Sequence, residues 1–463
     1  MVADLKTPGV YIEENASLAL SVSNSPTAVP VFIGKFTPNT VEPNQACIRI
    51  NNWLEFTSAF SLAPVTDVVI KSSLPSDSGT KKEARETPDV QILAASVAEG
   101  ETQKWIHSIE RINQSLAVEA LRLYFQNGGG SCYIYPLNNI NNELALAAIP
   151  ELIEQQGDIT LLVCPETEWD YKNRVYDAAS SLLNDNKVGY FLIADSPDGE
   201  SIPSSGTRSR IAAYYPQLET NLTFSALPVD KNVIISGYED ESGKDKLKNL
   251  DELRKKNETL ARSIDARLKQ EQQRQLILPP SSAIAGVYCQ TDNQRGVWKA
   301  PANVALTGIK GLTDKVDDAR QGTMNDKGIN VIRLFTGRGF MVWGSRTCTE
   351  VNNTNWRYIP VRRLFNAVER DIRQALRAVL FETNNQPTWM RAKAAVDHYL
   401  YALWQKNALM GNTPEEAYFV HIGQDITMSD ADIKQGKMIM KVGLAPVRPA
   451  EFIVLQFTQD IVQ

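Results

Sequence analysis

Histidine is scarce in this chain and cysteine is scattered. The 463 residues hold three histidines (His107, His398, His421) and five cysteines (Cys47, Cys132, Cys164, Cys289, Cys348). Structural zinc needs close pairs of such ligands, and there are none. An odd number of widely spaced cysteines reads as reduced core thiols rather than a disulfide framework, which fits a cytoplasmic protein. Long hydrophobic runs are also missing: stretches such as Val188 to Ala194 fall far short of the ~18 residues of a membrane span. The opening MVADLKTPG carries acid where a signal peptide wants base, so synthesis and folding in the cytoplasm, without membrane insertion, are expected. Neither sign of charge dominates. With 48 Lys and Arg against 54 Asp and Glu, 22% charged and 43% hydrophobic residues, the composition excludes both a disordered chain and a polycation. At about 150 residues per domain the length allows two or three domains.

The motifs of common enzymes are missing too. A phosphate cradle requires strand, glycine loop and helix N-terminus in that order. Gly128, Gly129 and Gly130 instead follow a predicted helix and precede a strand, which makes them a helix terminator. Pro165, Glu166 and Thr167 follow another strand without any glycine, and Gly337-Arg338-Gly339 matches neither phosphate-binding pattern. Asp195 and Asp198 lie just past a strand, where α/β enzymes place carboxylates, but ADSPDG is also a sequence of turn formers. No histidine accompanies a GxSxG elbow. His398 falls on an amphipathic helix and His421 on a strand, both structural positions. Catalytic, cofactor-binding and metal-binding residues are therefore not assigned, and an α/β nucleotide- or sugar-dependent enzyme with a site of a new kind stays open as the alternative.

What is present is a regular alternation. Residues 1–30 read as extended, with Val10 and Ile12 alternating with polar partners, and Ala28 to Gly34 as a buried strand. Ile109, Ile112, Leu116, Ala120 and Leu123 predict a helix over 109–126. Strands at 132–137, 159–164 and 188–194 alternate with helices at 143–156 and 171–184, which predicts an α/β layer with a largely parallel sheet. Residues 66–104 show no clear period and read as part of a peripheral insertion. Residues 239–275 hold 10 basic and 9 acidic residues with one apolar stripe of Leu253, Leu260, Ile264 and Leu268; helical throughout, the segment would be about 55 Å long, although Asn257 interrupts it. Leu364, Val368, Ile372, Leu376 and Val379 form a further helical stripe, as do Val396, Leu400, Leu403 and Trp404 before Gly411. Thr413, Pro414 and Glu416 mark the start of a brief helix. At the end, Ile453, Leu455, Phe457 and Ile461 alternate with Phe452, Val454, Gln456 and Thr458 as in a strand.

The charge is unevenly spread. Residues 333–393 carry 11 Lys or Arg against 4 Asp or Glu, net +7, which leaves −13 elsewhere. Such an island is either a solvated helix face or a docking face for an acidic partner. It lacks a Lys/Arg run or an aromatic-interleaved motif, which argues against nucleic acid.

Several long motifs, taken in order, resemble the tail sheath proteins of contractile phage tails and related injection systems. They are PGVYIEE (8–14), PPSSAIAGVYCQTDNQRGVWKAPAN (279–303), GINVIRLFTGRGFMVWGSRT (328–347), WRYIPVRRLF (356–365), ALMGNTPEEAYFVHIG (408–423) and VGLAPVRPAEFIVLQF (442–457). The resemblance implies a mixed α/β and α+β chain that is not an enzyme and needs no cofactor, forming stacked hexameric rings around an inner tube and contracting without nucleotide hydrolysis. It also implies the domain plan: an arm over 1–24; an α/β domain over 25–300 with outer insertions near 36–104 and 204–278; and a C-terminal α+β domain over 301–463 that faces the tube and ends in a linking strand over 450–463. Implied partners are further copies of the chain, the inner tube protein, baseplate and terminator or cap proteins, and sheath paralogues. Extended arms would add strands to sheets of neighbours, with Pro8, Gly9, Val10, Tyr11 and Ile12 at one end and Phe452, Ile453, Leu455 and Phe457 at the other. An intrachain core strand is the plainer alternative for the last segment. Arg362, Arg363, Arg370, Arg373 and Arg377 are the expected tube-facing residues, although Glu369 and Arg373 at i,i+4 also suit a local pair. A type VI secretion sheath component is the nearest alternative, disfavoured because one chain carries both sets of terminal motifs.

Overall fold

The computed structural model describes residues 20–39, 47–73, 105–240, 243–244 and 247–452. These fall into two compact units, the larger holding residues 26–367 with 448–452 and the smaller 20–25 with 368–447. The division lies inside the helix Ile359–Leu376 rather than near residue 300, so residues 301–367 belong with the α/β unit.

The larger unit is built on eight strands: β1 (Pro30–Gly34), β2 (Ile48–Ile50), β3 (Cys132–Pro136), β4 (Leu161–Val163), β5 (Phe191–Asp195), β6 (Ile211–Tyr215), β7 (Ile329–Phe335) and β8 (Gly339–Trp343). Their order is β8-β7-β6-β5-β4-β1-β3-β2. The six inner strands run parallel, and β2 and β8 close the two edges antiparallel. Continuous apolar strands follow from burial on both faces. Val31 and Ile33 of β1 enter one core and Phe32 the other. Helices Glu143–Gln156 and Trp169–Ala179 cover the first face; Ala117–Gln126 and Pro280–Arg295 cover the second. The last two helices approach so closely that a Cβ on Gly286 would lie 2.5 Å from the Tyr124 carbonyl oxygen, so only glycine fits.

A satellite joins segments far apart in sequence. Strands Thr66–Ser73, Ile106–Gln114 and Val233–Ser236 form a sheet. Its apolar face is covered by Leu250, Leu253, Leu260, Ile264 and Leu268 from helices Leu250–Lys256 and Glu258–Gln272. The helical part of 239–275 is confined to these two helices, packed on one side, and they part at Asn257, whose side chain accepts from the Leu260 N–H and caps the second. The helix expected over 109–126 is likewise divided. Ile109 and Ile112 match a helical period by coincidence, but they lie in the strand paired with Thr66–Ser73, and the helix begins only at Ala117. The insertion expected near 36–104 is partly core, since β2 joins the main sheet and Phe56 and Phe60 are fully buried against it. Within 204–278, β6 is a wholly buried central strand, not an outer element.

Asp195, at the end of β5, is buried and faces inward. It accepts from the Lys172 ammonium at 2.5 Å and from the Ser281 N–H and O–H, each at 2.7 Å. Asp195→Ala leaves the buried ammonium uncompensated and is expected to cost about 3–5 kcal/mol, read as a lower urea midpoint at unchanged slope.

Candidate interaction site

The smaller unit carries a two-stranded hairpin, β9 (Tyr418–Ile422) and β10 (Met440–Leu444). Tyr418, Val420 and Ile422 are buried, with Ile422 against Trp389 of the helix Gln386–Gln405 and Met428. Phe419 is half-exposed and lies across Gly443, where a Cβ would come within 2.1 Å of its ring. A glycine opposite an aromatic is a recurrent device of edge strands.

Each hairpin strand has one paired edge, so among the described residues both outer edges are open. The Ala445 N–H bonds to the Ala417 carbonyl. Alternation then gives hydrogen-bonded pairs at Phe419–Gly443 and His421–Lys441, and turns the backbone groups of Val420 and Val442 outward. An open edge of this kind is a template for a further strand.

Two carboxylates sit where the described chain enters and leaves. In the smaller unit Asp371 is buried and accepts the Ser25 N–H at 3.3 Å and the Tyr399 O–H at 2.9 Å, with Arg370 at 3.8 Å. Burial, then the Asp371 charge, pushes the Tyr399 phenol upward, so it remains a donor. In the larger unit Glu451 accepts two bonds from Arg346, at 2.8 and 2.9 Å, and the Tyr358 O–H at 3.0 Å. Burial and the Glu451 charge raise the Tyr358 phenol. Beside this cluster lies a cavity of about 510 Å³ lined by Trp343, Ala300, Ala302, Pro449, Ala450 and Phe452, among others.

The five arginines expected on one docking face part company. Arg363 is buried, paired with Asp292 at 2.9 and 2.6 Å, bonded to the Thr27 carbonyl and stacked 4.6 Å over Tyr288. Arg362 is buried too, bonded to Asn366 and stacked 4.2 Å over Trp356. These two cannot face a tube. Three arginines of the +7 island pair with carboxylates outside it: Arg333 with Asp318, Arg346 with Glu451 and Arg363 with Asp292. Arg370 is half-buried beside Asp371, while Arg373 and Arg377 are exposed. Of the arm residues, only Phe452 is described, and its side chain is 71% exposed. Pro8, Gly9, Val10, Tyr11, Ile12, Ile453, Leu455 and Phe457, with the terminal strand expected over 450–463, lie outside the described residues apart from residues 450–452, which are not in a strand.

The acidic turn is what its residues suggest. Asp198 accepts from the N–H groups of Glu200 and Ser201 and from the Ser201 O–H, and these bonds hold its carboxyl at about 2 despite some desolvation. Among the described residues no group of three or more His, Cys, Asp or Glu is arranged to hold a metal ion, and no helix is long and apolar enough to cross a membrane.

Residues 158–348 match the model of the phage tail sheath protein central domain, and 351–460 that of the phage tail sheath C-terminal domain. Over 98% of its length the chain is 42% identical to the whole of a chain in the helical sheath of the anti-feeding prophage in its contracted state, with a TM-score of 0.70. It belongs to the contractile tail sheath family. A second sheath relative is a chain of the extracellular contractile injection system PVC in its contracted state, at 34% identity, a TM-score of 0.65 and coverage of 99% of this chain and 98% of that one. The tail sheath protein of Vibrio phage KVP40 is 28% identical over 184 residues, 39% of this chain and 26% of the relative; that of Enterobacteria phage T4 is 27% identical over 184 residues, 39% and 27% respectively. The sheath match thus spans about a quarter of the length of these two phage proteins. The motifs quoted from the sequence lie mainly in the matched stretches. The Glu451 and Asp371 clusters were not legible there, because each joins residues separated by tens to hundreds of positions.

Proposed function

We propose that the chain is a non-enzymatic structural subunit that polymerises as stacked hexameric rings around an inner tube and contracts to drive that tube through an envelope. The observation that carries this reading is full-length similarity to sheath chains combined with the two open edges of the β9–β10 hairpin. Strand addition at those edges supplies main-chain hydrogen bonds, and alternate side chains set register. Val10 and Ile12 at one end, and Ile453, Leu455 and Phe457 at the other, are the strands we assign to them. Extended arms of ~10 residues reach roughly 33 Å, so rings stay connected while bodies rotate and slide. A head-to-tail contact that does not close gives a helical array.

Partners in this reading are other copies, a tube protein, a baseplate and a terminator; the similarity to a chain of the anti-feeding prophage baseplate assembly, 42% identical over 99% of this chain and 100% of that one, supports the baseplate contact. Arg373 and Arg377 are the exposed cations we assign to the tube-facing surface. Assembly takes place in the bacterial cytoplasm. Expression with its neighbouring tube and baseplate genes, followed by negative-stain electron microscopy, tests the whole reading. Hollow cylinders with a regular helical surface are expected, and discrete small particles throughout would contradict it.

A further inference from the structure

We propose that Arg346 is a positioning residue which, through Glu451, fixes the root of the C-terminal arm and so defines where the body ends and the linker begins. The inference rests on the sheath reading for its consequence, but its geometry stands within the larger unit alone. Arg346 is buried and held from several sides. Its Nη1 donates to the Asn325 carbonyl at 3.0 Å. Its own N–H donates to the Asn330 side-chain oxygen at 2.7 Å, while the Asn330 amide donates back to the Arg346 carbonyl at 2.8 Å. Asn330 is completely buried and anchored on the Ala213 carbonyl of β6, so the guanidinium is aimed by the central sheet.

The outward half of that guanidinium takes both oxygens of Glu451, and Tyr358 adds a third bond. A bidentate pair fixes direction as well as distance, which one point charge does not do. The next residue, Phe452, is already 71% exposed. Within one residue the chain therefore passes from a three-bonded carboxylate to a largely exposed side chain. Tension arriving along the arm during ring movement is delivered to Glu451, and from there through Arg346 and Asn330 to the main sheet. Every residue after the clamp adds up to about 3.5 Å of reach, so releasing Glu451 lengthens the linker and loosens its direction.

The test uses the full chain carrying Phe452→Cys with a nitroxide label, selective because all five native cysteines are buried. In that background Arg346→Lys and Glu451→Gln are each expected to speed label motion about threefold or more, on the nanosecond scale of loop movement. Arg346→Lys keeps a cation beside Glu451, so urea unfolding of the larger unit in that variant should shift little, and cylinders from either variant should shed rings under shear. Tyr358→Phe should give an intermediate effect. Unchanged label motion in both variants would overturn the proposal. So would a loss of stability of the whole unit that tracks the gain in motion, since that is the signature of a merely structural pair. Cylinder formation by the unsubstituted chain is scored separately: its failure contradicts the sheath reading and leaves the label result to decide the clamp.

Discussion

Val442→Pro is expected to leave the chain folded and to abolish the linking of its rings. The Val442 N–H points away from β9, by the pairing that the Ala445 to Ala417 bond establishes. Proline there removes a donor that the hairpin itself does not use, and proline is tolerated on the outward side of an edge strand. The side chain is only half-buried, so the folding cost should stay near ~1 kcal/mol. The ladder offered to an incoming strand loses a hydrogen bond and meets a pyrrolidine ring. Gly443→Pro is the contrast, because its N–H bonds across to Phe419 and its loss should open the hairpin itself. Thermal unfolding separates the two variants, and electron microscopy after shear counts linked rings. Linked cylinders from folded Val442→Pro at the parental level would remove this edge as an acceptor.

The second large effect concerns arginines close together in sequence that do different work. Arg363→Ala is expected to destabilise the larger unit by about 3–5 kcal/mol, because it strands Asp292 in a buried site and removes the stack on Tyr288. Arg373→Glu with Arg377→Glu should change stability by only ~0.5 kcal/mol, as exposed positions do. That double change should instead lower the fraction of cylinders recovered with tube inside. Urea titration reads the first prediction and image counts read the second. An Arg363→Ala chain as stable as the parent would overturn the account of this pair, and unchanged tube recovery after the double reversal would remove Arg373 and Arg377 from the tube surface.

The α/β layer was legible because its strands are short continuous apolar runs separated by helices of ordinary length. Helix Glu143–Gln156 was legible to the residue, since Asn142 caps its start and Gly157, at a φ of 73°, ends it. Ile109 and Ile112 misled for a physical reason: their spacing of three fits a helix, while a bulge at Glu110, which is skipped between the Ile109–Ile70 and Arg111–Val69 pairs, lets it fit a ladder too. Charge patterning misled at Arg362 and Arg363, because a local count of basic residues does not include Asp292, 71 positions from Arg363 in sequence. The hairpin was half visible: His421 read as a strand residue, but the open edges are properties of a sheet and not of a segment. Glu451 carried no local signal, since its partners Arg346 and Tyr358 are brought to it by the main sheet and the segment before the helix Ile359–Leu376.

The most direct measurement is a helical cryo-EM reconstruction of the assembled chain at a resolution that separates strands. Strands from other copies along the outer edges of β9 and β10, continuous with residues 8–12 and 453–457, are the predicted result. Cylinders in which both hairpin edges remain bare would contradict linking by strand addition.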